Sequence, residues 1–139
     1  MRYASKLASL SVVGQGLSAE AIESASAELH LQFPDEYKEF LLEADGAEGL
    51  WGEKNYAIVW PIESLKQYNE AYEVSTYLPG AFLFGSDGGG EAFAFDLKNQ
   101  MAIVRVPFVG MKRDLAIVIA KTFAEFIDVL STKDIYELH

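Results

Sequence analysis

Residues 82–96 read Phe82-Leu83-Phe84-Gly85-Ser86-Asp87-Gly88-Gly89-Gly90-Glu91-Ala92-Phe93-Ala94-Phe95-Asp96, two aromatic runs either side of a glycine-rich centre. In the second run Phe93 and Phe95 alternate with Ala92 and Ala94, the period of a strand. Gly85, Gly88, Gly89 and Gly90 permit positive φ and close backbone approach. The stretch is therefore expected to form two antiparallel strands joined by a tight or bulged connection, with positive φ at one or more of Gly88, Gly89 and Gly90. A second reading stays open: a surface notch where Asp87 and Glu91 meet a ligand or partner. A phosphate loop is excluded, since no Gly-Lys-Ser/Thr ending or helix follows. Two carboxylates are also too few for a calcium loop.

The reading extends outward in both directions. After the second run, residues 98–100 are turn-like and 101–106 complete a hairpin; 115–120 form a short apolar strand. Thr122 with Glu125 makes a capping box for a last helix with Phe123, Phe126, Ile127 and Leu130 on its inner stripe. Before it come a strand at 81–84 and a helix over 64–73, where Leu65, Tyr68, Asn69 and Tyr72 share a face. Residues 56–60 read as a buried strand ended by Pro61. Pro34, Asp35 and Glu36 open a helix with Tyr37, Phe40, Leu41 and Ala44 inside, and Gly46 is expected to close it as C′. Ser18 caps a helix over 18–30 whose stripe is Ile22, Ala25, Ser26 and Leu29. Helices first, clustered strands later and one closing helix predict an α+β domain, with an antiparallel or mixed sheet packed against several helices. The organisation expected is an N-terminal extension or short helix at 1–17, one domain at 18–131 and a tail at 132–139.

Charge is unevenly spread. Net charge is −10, and residues 18–53 hold ten carboxylates against the single base Lys38. Such a field repels nucleic-acid backbones and anionic lipid and attracts basic partners. Helical periodicity puts the carboxylates of Glu20, Glu23, Glu36, Glu39 and Glu43 on outer faces, as candidate partner-binding groups. The competing reading is that these charges only keep the protein soluble.

Other chemistry is thinly represented. The chain has no cysteine and two histidines, His30 and His139, so a tetrahedral zinc set is not expected and no metal or cofactor is implied. No Gly-x-Ser-x-Gly elbow accompanies a histidine, and no catalytic residue is assigned. The longest apolar run is far shorter than the roughly 20 residues that span a bilayer. The weak, broken apolar start is not expected to be a signal peptide, and the expected location is cytoplasmic. Trp60 closes an apolar strand and reads as core. Trp51 follows Gly49-Leu50 in a loop and is either core or a partly exposed anchor.

These residues resemble the SUKH superfamily. Phe33-Pro34-Asp35-Glu36-Tyr37-Lys38-Glu39-Phe40-Leu41-Leu42 closed by Asp45-Gly46 is similar to its opening helix. Ile58-Val59-Trp60-Pro61-Ile62-Glu63-Ser64-Leu65, Asn69-Glu70-Ala71-Tyr72, the glycine-rich 84–96 stretch and Thr122-Phe123-Ala124-Glu125-Phe126-Ile127 follow in family order. The likeness covers about 18–131. It implies an α+β fold and a protein partner, since many bacterial relatives neutralise toxins, often nucleases, and a fungal branch regulates cell-wall synthesis through protein contacts. It carries over no catalytic residues. The expectation is an immunity-type protein that binds a basic toxin domain. The alternatives are a regulatory protein-binding module, or a ligand sensor or enzyme using an Asp87/Glu91 notch.

Overall fold

In the computed structural model, which describes residues 2–139, seven strands form one sheet whose spatial order is the chain order. They are β1 (Ser11–Val12), β2 (Ala47–Leu50), β3 (Tyr56–Val59), β4 (Ala81–Ser86), β5 (Glu91–Asp96), β6 (Ala102–Pro107) and β7 (Ile117–Ala120). Every neighbouring pair is antiparallel. Of the two expected arrangements, the antiparallel one holds. The glycine-rich stretch is a hairpin, with Phe82 opposite Phe95 and Ser86 opposite Ala92, and a bulge between Leu83 and Gly85. β1 and β2 were not anticipated. β1 is two exposed residues, and β2 combines Glu48 with Gly49 at φ 143, so neither shows a strand's alternation.

Among the described residues there are six α-helices: α1 (Ala4–Leu7), α2 (Ala19–Leu29), α3 (Asp35–Glu43), α4 (Leu65–Ala71), α5 (Val74–Tyr77) and α6 (Phe123–Thr132). The caps act as their chemistry dictates: Ser18 Oγ accepts from the Ala21 N–H at 3.1 Å, and Thr122 Oγ1 from the Glu125 N–H at 3.1 Å. Two expectations need correcting. The helix at 64–73 is a 3-10 turn (Ile62–Ser64) leading into α4, broken from α5 at Glu73, whose φ is 51°. Gly46 is not the C′ residue of α3, which ends where Ala44 turns extended. Gly46 adopts φ 91° for another reason: a Cβ there would lie 2.8 Å from Pro61 N and 2.9 Å from the Val59 carbonyl.

The central strands β4, β5 and β6 are buried along nearly their whole length, as strands are when both faces of a sheet are covered. On one face Phe84, Phe93 and Phe95 meet rings from α3 and α6. Phe84 stacks on Phe95 at 4.4 Å, and Tyr37 meets Phe95 at 5.1 Å and Phe123 at 5.2 Å. Such edge and offset contacts add about 0.5–1.5 kcal/mol per pair beyond area burial. The Tyr37 hydroxyl is buried without a hydrogen-bond partner among the described residues, and burial, then the charge of Asp45, pushes its ionisation upward. Towards the α4 side, Asn69 replaces a missing strand: its amide donates to the Leu83 and Leu65 carbonyls and its Oδ1 accepts from the Leu83 N–H.

The segments either side of 18–131 are packed rather than loose. Tyr3 is buried at 5.5 Å from Phe40 and 6.2 Å from Phe123, and its hydroxyl, pushed up to about 12 mainly by burial, donates to the Glu36 carbonyl. Ile135 is fully buried. Asn55, buried in the loop before β3, donates to the Leu130 and Lys133 carbonyls and accepts from the Ile135 N–H.

Candidate functional site

The glycine hairpin places its two carboxylates in separate internal jobs. Asp87 Oδ1 accepts from the Gly89 N–H at 2.8 Å and the Glu91 N–H at 3.1 Å, and its Oδ2 accepts from the Tyr136 hydroxyl. Glu91 pairs with Arg105 at 2.8 Å. That guanidinium also donates to the Ile135 and Leu138 carbonyls and lies 5.5 Å from the Tyr136 ring centroid. Burial, then the bond to Asp87, pushes the pKa of the Tyr136 hydroxyl up and keeps it protonated. The expected notch is thereby corrected: Asp87 and Glu91 fasten the C-terminal segment to the hairpin and are not a free carboxylate pair.

Positive φ falls on Gly88, at 79°, with its missing Cβ position 3.0 Å from the Tyr56 ring. Gly89 and Gly90 have ordinary backbone, and nothing lies within 4 Å of a Cβ built on Gly90. Gly88→Val should therefore lose about 1–3 kcal/mol, whereas Gly90→Ala should change stability by less than about 0.5 kcal/mol. Urea titration of both variants checks this; equal losses would show that the loop needs glycine for some reason other than the φ at Gly88.

The acidic helices are less free than their periodicity suggests. Glu36 accepts from the Ala124 N–H at 3.0 Å, tying α3 to the first turn of α6, and lies 3.6 Å from Arg2. Glu39 pairs with Arg2 at 3.2 Å. Both oxygens of Glu43 accept from the Tyr3 N–H. Glu36 and Glu43 are half-buried, which corrects their assignment to the open face. Glu23 is exposed and pairs with Lys38 at 3.2 Å, while Glu20 and Glu28 are exposed without an ion pair among the described residues.

Trp51 is not an exposed anchor. It is 4% exposed, its indole N–H donates to the Ala57 carbonyl at 2.9 Å and its ring lies 6.3 Å from Phe40. The exposed aromatics lie elsewhere. Tyr68 and Tyr72, placed by periodicity on an inner face, are partly exposed: Tyr68 stacks on Trp60 (4.0 Å, 13° between planes) and Tyr72 lies tilted against Phe108 (4.5 Å, 33°). Their spacing of four, with Tyr72 at the residue that ends α4, carries that signal. A cavity of about 560 Å³ opens on the other flank of α4, lined by residues including His30, Lys66, Glu70, Glu73 and Phe82.

Among the described residues no helix is long and apolar enough to cross a membrane, and no group of three or more histidines, cysteines or carboxylates could hold a metal ion. No curated protein matches the chain at a significant level. A sequence model of the SMI1 / KNR4 family (SUKH-1) matches residues 16–129, from just before α2 to within α6, and so takes in the glycine hairpin, both acidic helices and the aromatic pair. With four-fifths of its length matched in this way, the chain belongs to the SMI1 / KNR4 family, SUKH-1.

Proposed function

We propose that this protein is an immunity-type binder that neutralises a basic, nuclease-like protein toxin in the cytoplasm by occupying its surface. The observation that carries this reading is the concentration of ten carboxylates within residues 18–53 of a SUKH-1 domain. Internal partners take up Glu36 and Glu43, while Glu20, Glu23 and Glu28 stay exposed on α2, Glu23 beside Lys38, and serve as the steering groups together with the exposed Asp35 and Glu39 of α3. Exposed charges contribute little singly to stability, but their summed field raises the rate of encounter with a cationic surface. No catalytic or cofactor role is assigned to any residue.

The test begins with capture of the partner from the native host and its identification by mass spectrometry. Association is then timed by stopped flow against a triple variant, Glu20→Gln, Glu23→Gln and Glu28→Gln. The substitutions keep size and largely keep helix propensity, so the fold survives. Association should slow about 3- to 10-fold with dissociation little changed, and the wild-type rate should fall as salt passes about 0.1 M, where screening acts over about 10 Å. A variant that associates at the wild-type rate, with no salt dependence in either protein, returns these charges to a solubility role.

A further inference from the structure

Residues 133–138, which follow α6, lie against Asn55, Asp87 and Arg105 as a bound peptide lies in its cleft. The segment carries its own turn: Asp134 Oδ1 accepts from the Tyr136 N–H at 2.9 Å, and the Glu137 N–H donates to the Asp134 carbonyl at 3.1 Å. Those bonds travel with it. The cleft reads the segment mostly through its main chain. Asn55 accepts from the Ile135 N–H and donates to the Lys133 carbonyl, and Arg105 donates to the carbonyls of Ile135 and Leu138. Two side chains add identity. Ile135 is fully buried, and Tyr136 sets its ring 5.5 Å from the Arg105 guanidinium and its hydroxyl on Asp87. This is the division found in peptide recognition, where main-chain bonds give affinity and a pocket gives specificity. Ile135 is the only buried residue of 133–139, so the segment opens without uncovering the core beneath α3 and α6.

The cleft does not need the segment to keep its shape, because each of the three reading side chains has a second anchor inside the domain. Asn55 also donates to the Leu130 carbonyl of α6 at 2.7 Å. Arg105 is paired with Glu91 across β5 and β6 at 2.8 Å, and Asp87 Oδ1 accepts from the Gly89 and Glu91 N–H groups. A receptor whose donors and acceptors are already held in place spends little ordering entropy on binding. We infer that this cleft is a peptide-binding site occupied in cis, and that a partner protein displaces residues 133–138 with a turn of the same chemistry, an aspartate, an aliphatic residue and a tyrosine in succession. The site goes beyond the acidic surface proposed above and does not depend on it. A second copy of this chain is a poorer occupant. Lys133 follows directly on Thr132, the last residue of α6, so another copy's segment would have to bring its own α6 to where this α6 already stands. A turn within a separate protein has no such restriction.

The probe is a synthetic peptide of residues 132–139 with a fluorophore at its amino end, followed by anisotropy against the full chain. In the wild type the cis segment competes, and the apparent affinity falls with the fraction of cleft that is open. Full-length Ile135→Ser, whose cis segment has lost its buried side chain, should therefore bind the peptide at least about tenfold more tightly than the wild type. Tyr136→Ala, which spares that side chain, is the second variant and should move the same way. The peptide carrying Ile135→Ser should bind either variant at least about tenfold more weakly, the scale of one buried aliphatic side chain. Peptide-induced 1H–15N shifts should fall at Asn55, Gly89, Glu91 and Arg105, while hydrogen exchange at Phe93 and Val104 stays as slow as in the wild type, which establishes that the domain is folded. Folded variants that take up no peptide would overturn the inference and make residues 133–138 a fixed part of the fold. Equal binding of a scrambled peptide would overturn it as well. A wild-type chain that dimerises, with Tyr136 shifting as protein concentration rises, would overturn the partner in favour of a second copy. The triple glutamine variant of α2 should bind the peptide as the wild type does, so failure here leaves the steering reading standing.

Discussion

Asn55→Ala is expected to cost about 3–5 kcal/mol of stability, more than any surface change in this domain. Asn55 is 1% exposed and bonds to three backbone groups that belong to the end of α6 and the segment after it: Leu130 O at 2.7 Å, Lys133 O, and Ile135 N–H at 3.2 Å. Truncation leaves all three buried or half-buried without a partner, each at about 1–3 kcal/mol, although local opening of the chain after Thr132 relieves part of the sum. That opening is the second readout. Hydrogen exchange should accelerate at Ile135 and Tyr136, and with Tyr136 displaced the amides of Gly89 and Glu91 lose a clamp held through Asp87. Urea unfolding gives the first number. A loss below about 1 kcal/mol with unchanged exchange would mean that the C-terminal segment is held by Arg105 and packing alone.

Gly85→Ala should lose about 3 kcal/mol, which for a domain of this size lowers the melting temperature by about 10 °C. Gly85 pairs with Val59 at the irregular step of β4, and a Cβ there would stand 2.3 Å from the Ile58 carbonyl. That neighbour is backbone and cannot turn away, so β3 must part from β4. Phe84, one residue before, carries the stack on Phe95 and the edge contact with Phe126 at 5.4 Å, and it shifts with the strand. Gly89→Ala, whose Cβ meets the Asp87 carboxylate no closer than 3.5 Å, is the matched control and should be near neutral. Calorimetry of the pair decides it; comparable melting points would show that the bulge absorbs a methyl group without separating the strands.

The two substitutions also mark where sequence reading reaches and where it stops. The hairpin at 82–96 was legible because alternation and glycine content are local properties, and α2 and α6 because Ser18 and Thr122 are within three residues of the N–H groups they cap. What escaped depends on distant partners. Glu36 looks like any outward helical carboxylate until α6 supplies the Ala124 N–H, 88 residues on. Asp87 and Glu91 look like a ligand pair until Tyr136 and Arg105 arrive. Trp51 sits in a loop, which suggests exposure, but the return of β3 brings the Ala57 carbonyl to its indole. Tyr68 and Tyr72 carried the opposite error: a helical stripe identifies one face, and periodicity does not say that a loop residue, Phe108, will lie beneath the edge of that stripe.

The strictly sequential order of the sheet has a consequence for how the chain is made. Each strand from β2 onward pairs with the one synthesised just before it, so the sheet can grow by addition at a single edge as residues leave the ribosome, with few long loop closures to slow it. The Asn55 side chain, Asp87 Oδ2 and the Glu91 carboxylate emerge before their partners, and wait for Arg105 and then residues 130–136. The β4–β5 hairpin is thus assembled early but locked late, and until residues 130–136 dock, the nascent domain presents an open sheet whose last clamp is still to come.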